Sequence, residues 1–475
     1  MNIKSNIFFV LIVIIGCLSI FTNWYPELCF LLFFTLVVLM LDKLGKGIVL
    51  REVVALHSCF ICLLMPLAGY AFFDKSDPLA RMWVRYMPIP LETYFGYALP
   101  AICAFTAGLF WPSRKAQRDD AGPYLQDTIV KARTVLQQKK NVGVQLLVIG
   151  MVMFSVARFA PDVVQFVLVL FAFASFAGFL YVYFTKTVRY RNLILTIFAV
   201  YVVMMALNSG MFTIVAYMGL TLFSFFFLGR KTKFWKKLLW FLTGVTFLFL
   251  FQSVKPEYRK QTWRGGGYSG NSALLFANLL TEKLFNFDWH SPDAFFPIYY
   301  RTNQGFNVAL VMRRFPAIKP FDNGNNLMIN GASALVPRFL WPDKPEAGGQ
   351  FNMQYYAGVY INGWSTNVGP LGEAYGSFGL VGGIIFMSFL GLFIRWVYRL
   401  IFGLARSTPL LIFWIPVLFY QVTYSAETDT LQIMNSLAKA GFFIFLLYRM
   451  IPFWFITPRR SRFTMVRPTE DAQPG

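Results

Sequence analysis

The chain has 475 residues, of which 57% are hydrophobic, 19% aromatic and 14% charged, with a formal net charge of +21. A soluble domain carries about 25% charged residues, so this composition, with its apolar residues gathered in long runs, excludes a soluble globular protein and predicts an integral membrane protein. The basic charge does not indicate a nucleic-acid partner, because many Lys and Arg lie in short loops between apolar runs, as cytoplasmic loops do.

A span needs about 20 mostly apolar residues. Candidate spans cover 6–22, 27–42, 48–73, 92–111, 143–159, 162–184, 192–208, 211–229, 238–253, 374–398, 408–425 and 430–452. The expected fold is therefore all-α, a polytopic membrane helix bundle of about 12 transmembrane helices. Nine spans fall in 1–254, a large loop of short helices in 255–372, three spans in 373–455 and a tail in 456–475. The first run is followed by the bulky Phe21-Thr22-Asn23-Trp24-Tyr25 rather than a small-residue cleavage site, so it is expected to stay as a span. Cys17, Cys29, Cys59, Cys62 and Cys103 lie in or beside apolar segments. Cys59 and Cys62 form C-x-x-C without a second pair, and His57 alone does not complete a metal site, so no metal or cofactor is expected. His57 itself falls in a span, as a packed or water-lined polar residue.

Alternate loops are heavily basic: Lys43 to Arg51, Arg114 to Lys140, Lys186 to Arg191, Arg230 to Lys237 and Arg395 to Arg406, continued by Arg459, Arg460 and Arg462. Most other short loops are poor in Lys and Arg, although 74–90 carries Lys75, Arg81 and Arg85. The majority pattern puts both termini in the cytoplasm and the large loop outside. Within the longest cytoplasmic loop, Gln126 to Gln138 is a candidate surface helix. The end of the tail, Pro468 to Gly475, is expected to be disordered.

The large loop holds too many aromatics to be simply disordered. The Leu and Phe spacing from Ala273 to Phe287 fits an amphipathic helix at the membrane surface, and Gln304 to Phe315 is a second helical candidate. The loop also gathers Arg259, Arg264, Arg301, Arg313, Arg314 and Arg338, with Lys344 near the last. Arginine presents a planar fork suited to phosphate. Trp263, Tyr299, Tyr300, Trp341, Tyr355, Tyr356, Tyr360 and Trp364 offer faces on which sugars stack. Two readings stand: a site for a sugar phosphate or diphosphate, or arginines on anionic headgroups with an interfacial aromatic belt.

Two local elements carry a resemblance. Pro337-Arg338-Phe339-Leu340-Trp341-Pro342-Asp343-Lys344-Pro345 is followed by Asn352 and then by Ser365-Thr366-Asn367-Val368-Gly369-Pro370-Leu371-Gly372-Glu373-Ala374-Tyr375-Gly376-Ser377-Phe378-Gly379 at the start of a late span. This resembles the oligosaccharide repeat unit polymerases, the Wzy-type O-antigen and exopolysaccharide polymerases, which are GT-C-like membrane glycosyltransferases. The match covers roughly a hundred residues, and Gly369-Pro370 stands where many of that family place Ser or Thr before Pro.

The resemblance implies glycosyl transfer on the periplasmic face of a bacterial inner membrane, with no nucleotide sugar and no metal. The donor would be a glycan on undecaprenyl diphosphate and the acceptor one lipid-linked repeat unit; a chain-length regulator and a flippase would be partners. Arginine would then stabilise the diphosphate leaving group. Arg338 is the large-loop candidate, with Arg264, Arg301 and Lys344 behind it. Arg158, in the third outer loop, is the small-loop candidate, or else a helix-end arginine snorkelling to the interface. Trp341 and Tyr375 are expected to touch substrate. Glu373 is either the base for the acceptor hydroxyl or a carboxylate at a helix N-terminus. His290, the one outer histidine, is expected to be solvated. An O-antigen-type ligase would use the same donor, while a flippase or transporter would place ionisable residues around a central cavity.

Overall fold

The computed structural model describes residues 3–73, 87–112, 120–157, 159–209, 213–262, 268, 270–288, 292–336, 340–343, 348–362 and 366–456. Arg158, Arg264, His290, Arg338, Lys344 and the expected tail from Pro468 lie outside these residues. Among the described residues the regular structure is helical, with isolated bridges pairing Leu44 with Gly47 and Gly47 with Ala121. Lipid cannot hydrogen-bond a backbone, so long apolar runs close their own peptide groups by becoming helices.

Helices α1 (Ile3–Phe21), α2 (Tyr25–Lys43), α3 (Leu50–Phe72) and α4 (Leu91–Phe110) form the first group. Pro66 interrupts α3 and has no N–H for the Cys62 carbonyl. The helix widens to a π-turn over Phe60–Leu64, and Tyr94 Oη on α4 donates to that carbonyl at 2.6 Å. Helix α5 (Pro123–Gln138) is amphipathic, burying Leu125, Ile129, Ala132 and Leu136, and turns through 84° into α6 (Val142–Ala157). Then follow α7 (Asp162–Phe184), α8 (Arg191–Ser209), α9 (Thr213–Phe227) and α10 (Phe234–Thr262). The late elements are α15 (Gly369–Leu404) and α16 (Thr430–Met450).

Between them lie the loop helices α11 (Ser272–Asn286), α12 (Pro292–Thr302), α13 (Gln304–Arg314) and α14 (Asn325–Leu335). Both loop helices expected from the sequence, over Ala273–Phe287 and Gln304–Phe315, are present as α11 and α13. Asn271 caps α11 by accepting from Ala273 and Leu274 N–H, and Asn303 caps α13 by accepting from Phe306 N–H.

Among the described residues seven helices are long and apolar enough to cross a membrane: α2, α3, α4, α7 over Val167–Phe184, α10, α15 and α16. The α5–α6 pair would make an eighth if it is one broken span. Large side chains such as Phe34, Leu239, Trp240 and Phe389 lie exposed along these helices, as lipid-facing residues do. The chain is a membrane-embedded helical protein.

One expected span is not a continuous helix. Residues 408–425 split into a 3₁₀ turn (Pro409–Trp414), two single turns (Ile415–Leu418 and Tyr420–Thr423) and the start of another 3₁₀ turn (Ser425–Glu427). Pro409 and Pro416 each remove a donor, and Phe419 and Tyr424 leave helical backbone angles. The segment is nonetheless almost wholly buried: Leu410, Ile412, Phe413, Trp414, Ile415 and Phe419 are at most 1% exposed. Irregular backbone at this depth is tolerated where protein covers it or where it lines a cavity.

Helix α15 is the spine of the molecule. It crosses α4 closely, since a Cβ on Gly391 would stand 2.2 Å from the Phe105 carbonyl and one on Gly108 2.4 Å from that of Ser388. It kinks at Gly379, where φ is 68°. Tyr97 Oη on α4 donates to the Leu371 carbonyl at 2.8 Å, fixing the N-terminal end of α15.

Candidate functional site

Three helices begin at one place. Their starts, at Gln304 of α13, Gly369 of α15 and Thr430 of α16, are tied together by Asn367. The Asn367 carbonyl accepts from Gln304 Nε2 at 2.8 Å and Asn307 Nδ2 at 2.9 Å. Its side-chain Nδ2 donates to Asp429 Oδ2 at 2.7 Å, and its Oδ1 accepts from Asn352 Nδ2 at 3.4 Å. Asp429 in turn caps α16 through the Gln432 N–H. Burial, the largest influence, raises the Asp429 carboxyl above the usual range, although the Gln432 N–H and the Asn367 amide act against it.

Gly369 is required at this junction. Its φ is 73°, and a Cβ would lie 2.5 Å from the Ala426 carbonyl and 3.0 Å from Gln304 Nε2. That is a local reason for glycine before Pro370.

Beside the junction is a polar cavity of about 160 Å³, lined by Arg301, Gln304, Gly349, Thr366, Asn367, Tyr424, Glu427, Thr428 and Gln432. Arg301 Nη2 lies 2.7 Å from Glu427 Oε2, and His57 Nε2 lies 3.2 Å from Glu427 Oε1. Lys255 and Arg259, near the end of α10, are within electrostatic reach of Arg301, and Lys255 is also within reach of Glu427. Arg301 thus pairs with the cavity carboxylate, with Lys255 within reach of both and Arg259 beside Arg301. The helix N-termini add their positive dipole ends, which favour an anion. A second cavity of about 30 Å³, between α6, α7 and α8, is lined mainly by apolar side chains such as Phe154, Phe173 and Phe198.

Of the residues expected to form the site, Arg301 lies in the cavity wall, its side chain 43% exposed. Glu373 does not line the cavity. It is fully buried behind the wall, accepting from Asn352 Nδ2 at 2.9 Å, Thr430 N–H at 2.8 Å and Thr430 Oγ1 at 2.6 Å. Its visible work is to pin α15 to α16. Tyr375 is half-buried in the bundle, its ring 4.8 Å edge-on to Tyr97 and 5.9 Å from Phe321. Trp341 is half-buried and not among the cavity-lining residues.

The cavity also holds residues that the sequence reading did not single out: Glu427, Gln304, Thr428 and Gln432. The available signal was two carboxylates, Glu427 and Asp429, packed into a five-residue connection between apolar runs. That connection stood out only for its lack of Lys and Arg. His57, expected to be packed or water-lined, meets the cavity through Glu427. Among the described residues no group of His, Cys, Asp and Glu has the arrangement of a metal site.

Neither the curated proteins nor the solved structures include a match to this chain. Residues 124–405, from the first turn of α5 to just past the end of α15, match a domain of unknown function, DUF8712, and the chain belongs to that family.

Proposed function

We propose that the protein is a membrane glycosyltransferase that joins lipid-linked oligosaccharide repeat units, outside a bacterial inner membrane, into a polysaccharide. In this reading the twelve apolar segments place both termini in the cytoplasm and residues 255–372 in the periplasm. The donor is a glycan on undecaprenyl diphosphate. An acceptor hydroxyl oxygen attacks the donor's anomeric carbon, the bond from that carbon to the diphosphate oxygen breaks, and undecaprenyl diphosphate leaves.

The observation that carries the reading is the cation-rich cavity at the meeting of three helix N-termini. A diphosphate gains negative charge as it departs, and preorganised cations and N–H dipoles stabilise that charge more than the ground state. Arg301, Arg259 and Lys255 supply positive charge in this scheme, and Arg158, Arg264, Arg338 and Lys344 remain further candidates. The amides and hydroxyls of Gln304, Asn367, Thr366, Thr428 and Gln432 suit sugar hydroxyls, and Trp341 and Tyr375 remain candidate stacking faces. Glu427, whose Oε1 lies 3.2 Å from His57 Nε2, is better placed than the enclosed Glu373 to take the acceptor's proton.

The test is polymerisation by purified protein from lipid-linked repeats in detergent. Arg301→Ala is expected to slow it about 10²–10³-fold, the usual cost of one preorganised donor, while the melting temperature stays close to that of the unaltered protein. Wild-type protein that makes no polymer, or Arg301→Ala that polymerises at the wild-type rate, would overturn the proposal.

A further inference from the structure

A second charged cluster lies at the opposite end of α15, where the basic loops gather. Lys43 Nζ lies 3.0 Å from Glu52 Oε1 and 2.7 Å from Asp120 Oδ2, and Arg51 also binds Asp120 Oδ2. The Arg51 guanidinium lies against the Tyr398 ring, 5.5 Å from its centroid, and against Phe110 at 5.6 Å. Its Nη1 donates to the Leu109 carbonyl at 3.2 Å. Both carboxylates are thus already engaged by Lys43 and Arg51.

Two more arginines join them from α15. Arg395 and Arg399 are four residues apart, on the same helix face as Tyr398. Arg395 is 7% exposed, and its Nε and Nη2 are buried with no hydrogen-bond partner. The Arg399 Nε is likewise buried without a partner. The charges within electrostatic reach of Arg395 are Arg399, Arg51 and Asp120. Among the described residues, four cations therefore face two carboxylates, in a setting where an unpaired charge is costly. Trp396 and Leu400, three residues before and one after Arg399, are 59% and 47% exposed.

We infer that Arg395 and Arg399, backed by Arg51 and Lys43, form a binding site for a phosphate group at the basic-loop end of the bundle. The guanidinium forks match phosphate oxygens, and one bound phosphate would meet the unpartnered N–H groups and balance the excess charge. The site is independent of the cavity at the other end of α15 and of the reaction proposed there. A phosphate group reaches it from an anionic lipid headgroup or from solution.

The experiment is a thermal melt of the full purified chain in detergent, titrated with inorganic phosphate, with phosphatidylglycerol and, for comparison, with phosphatidylcholine. Inorganic phosphate or phosphatidylglycerol is expected to raise the melting temperature of the wild type. Arg395→Gln should weaken the response about tenfold or more, as expected for loss of a charged hydrogen-bonding group. Arg189→Gln, which alters an exposed arginine of another basic turn, should respond as the wild type. A rise with phosphatidylglycerol alone identifies a lipid headgroup, and a rise with inorganic phosphate identifies a soluble anion. If Arg395→Gln does not fold, the half-buried Arg399→Gln decides by the same criterion. A wild type that neither phosphate nor phosphatidylglycerol stabilises more than phosphatidylcholine does, or a folded Arg395 or Arg399 variant that responds as the wild type, would overturn the inference.

Discussion

Asn367 shows how much one uncharged side chain can organise. Its amide separates the Asn352 amide from the Asp429 carboxylate, donating to one and accepting from the other. Asn367→Asp keeps the shape and removes the donor, leaving an oxygen against Asp429. The lost bond costs about 1–3 kcal/mol, and repulsion between two buried carboxyls adds to it. The melting temperature should therefore fall further for Asn367→Asp than for Asn367→Ala, which removes the donor without adding charge. The reverse order would mean that Asn367 is a space-filler rather than the hub of the junction. Its string was prominent in the sequence, but its partners were not: Gln304, Asn352 and Asp429 are scattered along the chain, and no local pattern foretells that they meet.

At the scale of elements, Glu373 joins two helix starts that are 57 residues apart. Removing the carboxyl would strand the Thr430 N–H, the Thr430 hydroxyl and the Asn352 amide. Glu373→Ala should therefore destabilise by about 1–3 kcal/mol for each stranded group that water cannot reach. Glu373→Gln keeps an acceptor for Thr430. Its new amide donor can be met by turning the Asn352 amide, whose Oδ1 is unpaired. Near-normal melting of Glu373→Gln with near-normal polymerisation is expected of a clamp. A folded Glu373→Gln without activity would restore the role of base.

Asp120 plays a similar part between α2, α3 and the chain entering α5, and it titrates. Burial pushes its carboxyl up, but Arg51 and Lys43 outweigh burial and hold it below the usual range. A depressed carboxyl contributes stability that is present above its unfolded value and is lost as pH falls through its folded value. Melting temperatures should thus drop on acidification below the ordinary carboxylate range, and Asp120→Asn should flatten that part of the profile. An unchanged acid limb in Asp120→Asn would show that the ion pairs are not coupled to folding.

Elements were legible where periodicity speaks and hidden where it does not. Helix α11 follows from its Leu and Phe spacing, α13 is a helical candidate in the sequence, and most of the apolar runs are single helices. The segment from Pro409 to Glu427 was expected as a span, because a run of apolar residues has the same composition whether it is one helix or several short turns. Only its two prolines hinted at the break, and proline also occurs inside intact spans, as Pro100 does in α4. The break matters for the site, since it brings Tyr424, Glu427 and Thr428 to the cavity.

For the whole molecule, α15 supplies a length scale. From Glu373 to Arg395 is 22 residues, about 33 Å along a helix rising 1.5 Å per residue, close to the roughly 30 Å of a bilayer's hydrocarbon core. Between these two polar ends α15 exposes Leu380, Val381, Ile385 and Phe389. In the proposed topology the cavity lies at one water-facing surface and the Lys43–Arg51–Asp120 cluster at the other. Topology can test this directly. Trp341→Cys lies in the large loop, and Lys131→Cys lies on α5, where Lys131 is exposed and pairs with Asp127 one turn away. A membrane-impermeant maleimide added to intact cells, with outer-membrane access provided, should label Trp341→Cys and leave Lys131→Cys untouched until the inner membrane is opened. Cys17 is exposed in the structure, so it is replaced by Ser first. Equal labelling of both positions in intact cells would put the two ends of α15 on one side of the membrane. The cavity would then face the compartment that holds the basic loops, and a periplasmic polymerase would be ruled out.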